Sequence, residues 1–543
     1  MRHLTGSVAV ALLLLGCASR QAPATGDARA AESRAAESRA AAPYQIAYTV
    51  AITDPASHLY EVTIDVGGQR GAAIELQLPV WSPGRYARMD FARNVQDFSA
   101  TDAAGAPLRW EKVAGSRWRV APSERARVRY RVFADNLSGT FSVLDTLHAN
   151  WNGAGLFMYV VDHKPDPVTL RVEAPAGWQL MNGEARDAAQ RDFRFANYDI
   201  LVDTPTEVAP RLDVDTFRVD GVLYRVVVHH NGGQHGQRAR FVRDHRRIVT
   251  YQNRVFGPPP IPMYTFLHNT GFPGGDGMEH LNSTQVIHPR AWPADSVPVL
   301  PGIGTASHEY FHVWNVKRMR PAALGPFDYT QSIHQPSLWV AEGWTYYYGT
   351  IALHRAGIID RAAMYEETAQ LVRDNLEHPG RKERSARQAS FDAPFFDGGA
   401  APMRTNAANT FFTYYVKGEG LALALDLMIR ARSGGAKSLD DVARLLRDRT
   451  WNAPTATYYL QGRGYTEDDV ERAASDVAGT DLRGWFARHV GGTEDVDYRA
   501  LFQPLGLAVT VTGEDSARRY ALTEIPGATA EQVRLREGWL AGR

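Results

Sequence analysis

The sequence predicts an α+β protein of several domains, with a β-rich first part, a mixed segment and a helical part. At 543 residues the chain is too long for one hydrophobic core, and about three domains are expected. Apolar and polar residues alternate as in strands, for example at 60–66 and 127–132. The apolar spacing becomes helical beyond Ile359, for example at 420–429. These patterns predict a sandwich-like β domain at 44–213, an α+β segment at 214–357, a helical domain at 358–497 and a short C-terminal segment at 498–543.

Residues 1–17 have the features of an export signal. The apolar run 8–15 follows a basic start and is much shorter than the roughly 20 residues of a membrane-spanning helix. The one cysteine, Cys17, follows Leu-Leu-Gly in a pattern that resembles a bacterial lipoprotein cleavage box. Lipidation is favoured over ordinary cleavage after Ala18, because a lone cysteine in an exported chain forms no internal disulfide. We expect a periplasm-facing lipoprotein in the outer membrane of a Gram-negative bacterium.

The composition narrows the range of partners. Residues 18–43 are mostly Ala, Arg, Glu and Ser, which predicts a flexible tether, with a solvated helix on the protein body as the alternative. Sixty basic and sixty acidic side chains cancel, so no overall field recruits nucleic acid. The lipid anchor is therefore the expected membrane contact, and the expected substrate is neutral or of mixed charge. The sequence predicts no oligomeric state.

A two-histidine pattern in the mixed segment predicts a metal centre. His308 and His312 are four residues apart, so they share one face of a helix and can bind the same ion. A catalytic zinc takes three protein ligands and keeps one open position, and Glu342 is the candidate third ligand. Glu309, beside His308, can reach a water at the open position. We expect one zinc ion per chain.

Three further local features are interpreted as structural. The zinc helix is predicted to begin at an N-cap, Thr305, and to end near 317–321. His229, His230 and His235 are predicted to lie in a surface loop, because they adjoin a turn and have no acidic partner nearby in the sequence. The three tyrosines at 346–348 are predicted to pack in the core and to form part of the cleft wall.

Seven motifs in order make the sequence resemble the glycyl aminopeptidase family of bacterial zinc peptidases, relatives of aminopeptidase N. They are Leu-Pro-Val-Trp-Ser-Pro-Gly at 78–84, Asp-Phe-Ala-Arg-Asn-Val at 90–95, Gly-Met-Glu-His at 277–280, the zinc helix continued to 321, Gly-Pro-Phe-Asp-Tyr at 325–329, Ala-Glu-Gly at 341–343 and Tyr-Val-Lys-Gly at 415–418. The family implies an N-terminal β domain, a thermolysin-like catalytic domain, a helical domain and often a PDZ domain. Only about forty residues follow the helical domain, so no complete PDZ domain is expected.

The resemblance also implies roles for individual residues. Tyr415 is expected to donate a hydrogen bond to the developing oxyanion, with a packed core tyrosine as the alternative. Glu279 takes the place of the glutamate that binds a substrate's free α-ammonium group, and Gly277, Met278 and His280 are expected to contact the substrate beside it. His280 stands where aminopeptidase N relatives have asparagine. The alternative for Glu279 is an exposed loop glutamate.

The predicted function is that of a zinc aminopeptidase that removes N-terminal Gly or Ala from peptides. Zinc is expected to activate a water, from which Glu309 takes the proton as general base. One alternative is a zinc endopeptidase in which Glu279 is incidental. The other is a lipid-anchored binding protein whose zinc site is not catalytic.

Overall fold

The computed structural model describes residues 43–232, 237–290, 297–397, 405–514 and 517–542. The predicted export signal, Cys17, His235 and nearly all of the predicted tether lie outside these residues. Contacts divide the chain into two units, 1–43 and 44–543, and the described residues from Tyr44 onwards belong to the second. No helix within the described ranges is both long and apolar enough to cross a membrane.

The first part of this unit is β-rich, as predicted. Its strands are β1 Gln45–Ala51, β2 Leu59–Gly67, β3 Ile74–Gln77, β4 Val95–Thr101, β5 Trp110–Ala114, β6 Arg117–Val120, β7 Arg125–Phe133, β8 Val143–Leu144, β9 Ala149–Trp151, β10 Tyr159–Val160, β11 Val168–Glu173, β12 Gln179–Asn182, β13 Asp192–Phe195 and β14 Thr206–Ala209. They form three sheets, ordered β13-β11-β1-β2-β7-β4, β10-β3-β6-β5 and β12-β14-β9-β8. In β7 every second side chain is buried, which is the two-residue period expected of a strand with one face on a core. We refer to this part as the β domain.

A mixed five-stranded sheet follows, with strands β15 Asp213–Val219, β16 Val222–His230, β17 Met263–Thr270, β18 Asp276–Glu279 and β19 Ser283–His288. Its order is β15-β16-β17-β19-β18. The three central strands are parallel, and the two edge strands are antiparallel to their neighbours. A helix, Arg238–Phe256, connects β16 to the parallel strand β17, as such a crossover requires. The edge strand β18 borders the metal centre.

The rest of the unit is mainly helical, which confirms the helical pattern seen beyond Ile359. The helices of the whole unit are α1 Tyr198–Val202, α2 Arg238–Phe256, α3 Ile303–Phe311, α4 Thr345–Arg355, α5 Arg361–Glu377, α6 Ala386–Phe391, α7 Ala393–Phe396, α8 Ala407–Thr410, α9 Tyr414–Arg432, α10 Leu439–Thr450, α11 Glu467–Ala478, α12 Arg483–His489, α13 Tyr498–Phe502 and α14 Ala530–Ala541. A π-helical turn, Trp339–Trp344, leads directly into α4. Strands β20 Leu507–Thr512 and β21 Arg519–Glu524 pair in the short C-terminal segment, and α14 follows them.

Helix α3, which carries the two histidines, has different ends from those predicted. It begins after Gly302, whose φ of 84° is left-handed, so the predicted N-cap Thr305 is wrong and lies inside the helix. It ends at Phe311, earlier than predicted, because the hydrogen bonds that follow are irregular: they span three residues from Val313 N to Tyr310 O and five from Lys317 N to His312 O. His312 keeps helical angles of −62° and −15°. The two histidines therefore still share a face.

Candidate metal centre and substrate cleft

Three side chains converge at the start of the helical part. The Nε2 atoms of His308 and His312 are 3.0 Å apart, and Glu342 Oε2 lies 3.6 Å from the first and 3.3 Å from the second. Two imidazole nitrogens and a carboxylate oxygen are donors that zinc prefers, at bond lengths of about 2.0–2.2 Å. The two Nε2 atoms and Glu342 Oε2 form a triangle of a size that lets one ion lie about 2.0–2.2 Å from all three. The structure thus brings together the three residues that the sequence singled out as ligands.

Glu342 lies on the π-helical turn, which is wider than an α-helical turn and is often found at functional sites. The start of α9 packs directly on this turn. A β-carbon on Gly343 would be 2.4 Å from the Cα of Gly418, and a β-carbon on Gly418 would be 2.4 Å from the carbonyl oxygen of Trp339. Only glycines at both positions allow this approach, and it brings Tyr415 to the metal centre.

The ligands have protein partners that the sequence did not identify. His312 Nδ1 donates a hydrogen bond to the Asn315 carbonyl at 2.7 Å, which leaves its Nε2 free for a metal. Tyr86 donates its hydroxyl hydrogen to Glu342 Oε1 at 2.6 Å. Tyr86 belongs to the β domain, two residues after the motif at 78–84, and that proximity was the one available signal for it. These contacts orient two of the three ligands.

Glu309 is buried and points toward the space beside the ligands. Its Oε2 atom has no hydrogen-bond partner among the described residues. Burial raises its pKa well above the usual value, and the negative charges of Glu279 and Glu342 add to this effect, although His312 opposes it. A carboxyl group with a raised pKa takes up a proton more readily than a free carboxyl group does. The position of Glu309 and its raised pKa are both suited to acid–base catalysis.

Strand β18 turns two of its residues toward the metal centre. A β-carbon on Gly277 would lie 2.2 Å from Glu309 Oε1, so glycine is needed for β18 to approach α3. Glu279, two residues on and therefore on the same face, is only 4% exposed. Donor atoms of Glu279, Glu309 and His312 lie within 4.8 Å of one another. The alternative of an exposed loop glutamate is wrong for Glu279.

The other two residues of this motif contact different parts of the protein. Met278 is fully buried, and its sulfur packs where a β-carbon on Gly84 would be, 2.2 Å away. His280 is buried too, with Nδ1 3.0 Å from Asp203 Oδ1, an oxygen that also accepts a hydrogen bond from Lys317 at 2.8 Å. Both side chains support the edge strand. Of the motif at 277–280, only Gly277 is among the residues that line the open cleft described next.

A cleft of about 810 Å³ opens in front of the metal centre. Gly277, His308, Glu309 and Tyr415 are among the residues that line it. The ring of Tyr415 lies 6.4 Å from that of His308, whereas the neighbouring Tyr414 turns its hydroxyl to Asp397 at 3.2 Å. Burial raises the pKa of Tyr415 well above its usual value, with a further contribution from Glu342, so its hydroxyl stays protonated as a donor.

The tyrosine run at 346–348 is divided as predicted between cleft and core. Tyr346 is 40% exposed in the cleft wall, with its ring 5.1 Å from that of Tyr415. Tyr347 and Tyr348 are buried, and their hydroxyls donate to Asp426 and Asp440.

The β domain supplies part of the cleft wall, which the sequence did not reveal. Arg85 forms an ion pair with Asp276 at the start of β18. The amide of Gly139 also donates to Asp276 Oδ2, at 2.9 Å, and the amide of Tyr86 donates to Asp397 Oδ2, at 2.9 Å. The first two bonds tie the β domain to the edge strand that carries Glu279, and the third ties it to the end of α7.

The prediction of a surface loop was wrong for His229. This residue is 7% exposed at the end of β16, and its Nδ1 lies 3.2 Å from Glu207 Oε1. Glu207 is an acidic partner that is distant in sequence, which is why the local pattern missed it. His230, the next residue, turns to Asp213 at 3.4 Å.

Comparisons with known proteins agree with this architecture. Residues 47–210 match the Peptidase M61 N-terminal domain, and residues 302–421 match the M61 glycyl aminopeptidase domain. The crystal structure of an aminopeptidase N family protein from Idiomarina loihiensis is 28% identical with a TM-score of 0.78, and the match covers 90% of this chain and 82% of that chain. No curated protein gives a match.

Two further solved structures are more distant. An M1 zinc metallopeptidase from Deinococcus radiodurans is 16% identical with a TM-score of 0.45, over 82% of this chain and 93% of that chain. Yeast LTA4 hydrolase in complex with Bestatin is 12% identical with a TM-score of 0.47, over 82% of this chain and 67% of that chain. Similarity at this level carries no argument about the site.

Proposed function

Since the chain belongs to the M61 glycyl aminopeptidase family, whose two domains match more than half of it, we propose that it is a zinc aminopeptidase acting on peptides that begin with glycine or alanine. The observation that carries this proposal is the position of Glu279. Its carboxylate is buried beside Glu309 and His312, at the edge of the metal centre. A substrate ammonium bound there would have its first peptide bond next to the metal.

Glu279 forms no ion pair with any described residue. A buried carboxylate without a cation is costly, and a free α-ammonium group would supply the missing charge. An N-blocked peptide would bury the carboxylate against a neutral amide and leave it unpaired. This difference favours exopeptidase over endopeptidase activity.

The space next to Glu279 supports a small first residue. A cavity of about 20 Å³ lies beside it, lined by Gly84, Tyr86 and Arg320 among others. A volume of roughly 10–15 Å³ corresponds to one water-sized sphere, so this cavity has room for a hydrogen or a methyl group. A first side chain that enters this cavity must therefore be small, because the side chain of a leucine or phenylalanine would require the walls to move.

Each residue of the centre has a task in the proposed reaction. Zinc, when bound, supplies Lewis acidity toward the scissile carbonyl and makes a nearby water more acidic. Glu309 takes the proton from the attacking water and returns it to the leaving amine. The protonated Tyr415 hydroxyl donates a hydrogen bond to the developing oxyanion. Glu279 holds the ammonium group and so limits cleavage to the first peptide bond.

The test compares matched substrates that differ in one feature. Zinc-loaded protein would be assayed on peptides beginning with Gly, Ala, Leu or N-acetyl-Gly. We expect cleavage of the first two, slower cleavage of the third and almost none of the fourth. Equal cleavage of free and acetylated peptides would establish an endopeptidase. No cleavage of any of them by protein with full zinc occupancy would favour a binding protein.

We also propose that the protein is exported and anchored through a lipid on Cys17. The support is the apolar run at 8–15 and the cleavage-box pattern at 14–17. A Cys17→Ser variant should lose lipid labelling and leave the membrane fraction, whereas Ser7→Ala, in the same segment, should not. Unchanged mature mass and membrane fractionation of Cys17→Ser would contradict the anchor.

A further inference from the structure

A second group of metal-ligand side chains is buried far along the chain from His308 and His312. His148 precedes β9, Glu207 lies on β14 and His229 lies on β16, and they are 1%, 1% and 7% exposed. One ligand atom from each lies within 4.8 Å of the other two. Their types, two imidazoles and one carboxylate, are the same as in the catalytic centre.

The donor atoms lie slightly closer together than those of the catalytic centre. Glu207 Oε1 lies 2.7 Å from His148 Nδ1 and 3.2 Å from His229 Nδ1. A fourth atom, Asn269 Oδ1, lies 3.2 Å from His229 Nδ1. The corresponding separations in the catalytic centre are 3.0–3.6 Å. With bonds of about 2.0–2.2 Å, an ion would fit after a small outward movement of these side chains.

The surroundings hold the carboxylate of Glu207 in place and exclude water. Its other oxygen, Oε2, accepts hydrogen bonds from Asn150 at 2.8 Å and from Asn269 at 3.2 Å. Phe272 covers both imidazoles, with ring centroids 4.8 Å from His148 and 5.0 Å from His229. Hydrogen bonds of this kind orient metal ligands in known sites.

The charge of Glu207 also needs a partner. No described Lys or Arg forms an ion pair with it; its ion-pair partners are the two histidines. Burial raises the pKa of Glu207, but His148 and His229 outweigh that effect and lower it to about 2, and Glu207 in turn raises the pKa of His229 against the effect of burial, so without an ion the histidines balance the carboxylate. A dication would balance this charge while both imidazoles remain neutral, which is the state in which they bind metals.

We propose that His148, Glu207 and His229, with Asn269 as fourth donor, form a second metal site that binds a transition-metal dication such as zinc. Four protein donors leave no open position, so the site is structural and not catalytic. It joins two sheets, because Glu207 belongs to the sheet of β9 and β14 and His148 directly precedes β9, whereas His229 and Asn269 belong to the mixed sheet. The ion would fasten the β domain to the catalytic sheet.

The proposed second metal site is connected to the substrate cleft through one more residue. Asn150, which holds Glu207, accepts a hydrogen bond from Gln285 at 2.9 Å. Gln285 pairs with Met278 in the register of β18 and β19, directly beside Glu279. The second site therefore supports the edge strand from behind without contacting the catalytic ligands.

The test counts zinc in the full chain after dialysis against a zinc buffer, by elemental analysis. We expect two ions per wild-type chain and one in His308→Ala, whose second site is intact. Glu207→Gln should also retain one ion, and His308→Ala/Glu207→Gln should retain none. Added zinc should raise the melting temperature of His308→Ala but not that of the double variant.

A matched control comes from the neighbouring residue on β16. His230→Gln should keep two ions, because His230 faces Asp213 and not Glu207. One ion in wild type and none in folded His308→Ala would overturn the proposal and leave a hydrogen-bonded histidine–glutamate network. Two ions in Glu207→Gln would place the extra zinc elsewhere and overturn it as well. Zinc content and melting temperature are measured independently of activity. Failure of the proposed peptidase function would therefore be distinguishable from failure of the second metal site.

Discussion

At the residue scale, Glu309 and Glu279 belong to the same centre but have different surroundings, which suit them to different roles. Glu309 has an unpartnered oxygen and a raised pKa, because burial and the nearby carboxylates disfavour its charge. Glu279 is equally buried but stands at the edge of the centre, next to a small cavity. The first is suited to moving a proton and the second to holding a cation.

Replacement of Glu309 tests its role in proton transfer. Glu309→Gln should retain zinc and lose at least about a hundredfold in kcat, because a positioned general base contributes roughly 10²–10⁴. Turnover and zinc content would be measured on the same sample. Near wild-type turnover of a zinc-loaded variant would remove Glu309 from the mechanism. Glu367→Gln, on the surface helix α5, is the control for a carboxyl group outside the centre.

Replacement of Glu279 tests amine recognition. Glu279→Gln should weaken cleavage of free-amine substrates by roughly 2–5 kcal/mol in transition-state free energy, because one partner of a desolvated charge pair is lost. Cleavage of N-blocked peptides should change far less. The ratio of the two rates is the measurement, since a misfolded variant would lose both. An unchanged ratio would show that Glu279 does not bind the amine.

Replacement of Tyr415 separates catalysis from binding. Tyr415→Phe keeps the ring that packs on Tyr346 and removes the hydroxyl. We expect kcat to fall by about 10²–10³, as for the loss of one oxyanion donor, with little change in KM. Tyr414→Phe should affect stability more than kcat, because its hydroxyl contacts Asp397. A change in KM alone for Tyr415→Phe would limit this residue to binding.

At the element scale, glycines set how closely the helices and strands of the centre approach. Gly343 and Gly418 bring α9 onto the π-helical turn, and Gly277 brings β18 onto α3. The first contact places Tyr415, and the second places Glu309 and Glu279 beside each other. The family motifs at 341–343, 415–418 and 277–280 each contain one of these glycines.

A methyl group tests the contact between α9 and the π-helical turn. Gly418→Ala should destabilise the protein by about 1–3 kcal/mol, because the new carbon would lie 2.4 Å from the Trp339 carbonyl oxygen and α9 must move. Activity should fall too, since Tyr415 moves with the helix. Urea unfolding and kcat would be compared with Gly484→Ala, whose β-carbon meets only a side-chain atom at 3.5 Å. Equal stability of the two variants would contradict this account.

At the scale of the whole molecule, the β domain is part of the active site. Its loop at 84–86 approaches Glu279, pairs with Asp276 and donates to Glu342. The catalytic centre is therefore assembled from segments more than 200 residues apart in the chain, as the bond from Tyr86 to Glu342 shows. We therefore expect zinc binding and substrate recognition to depend on this contact.

The ion pair between Arg85 and Asp276 gives a test of that dependence. Arg85→Met should lower kcat/KM about tenfold or more, because hydrogen bonds to charged groups contribute about 1.5–3 kcal/mol and Asp276 would lose its partner. The control is Arg88→Met, which removes an exposed pair with Asp90 from the same loop and should change little. Similar kinetics for both variants would show that the β domain does not position β18.

The spacing of residues along the sequence was enough to predict much of the catalytic centre. His308 and His312 are four residues apart in a segment with helical angles, so the sequence alone predicts their common face, and the structure brings them to Glu342 as expected. The strand alternation of β7 and the helical spacing of α9 are equally local, because each depends on side chains a few residues apart. The order of the β-rich and helical parts follows from these patterns.

Only the tertiary structure decided which distant segments meet. Tyr86 reaches Glu342, and Glu207 reaches His229, although nothing near either residue in the chain indicates the other. His280 lies in a motif that suggests a substrate contact, yet the alternation of β18 and the position of Asp203 turn it away from the cleft. The physical reason is that periodicity records the face a side chain occupies, while its partner across that face depends on how the sheets and helices pack.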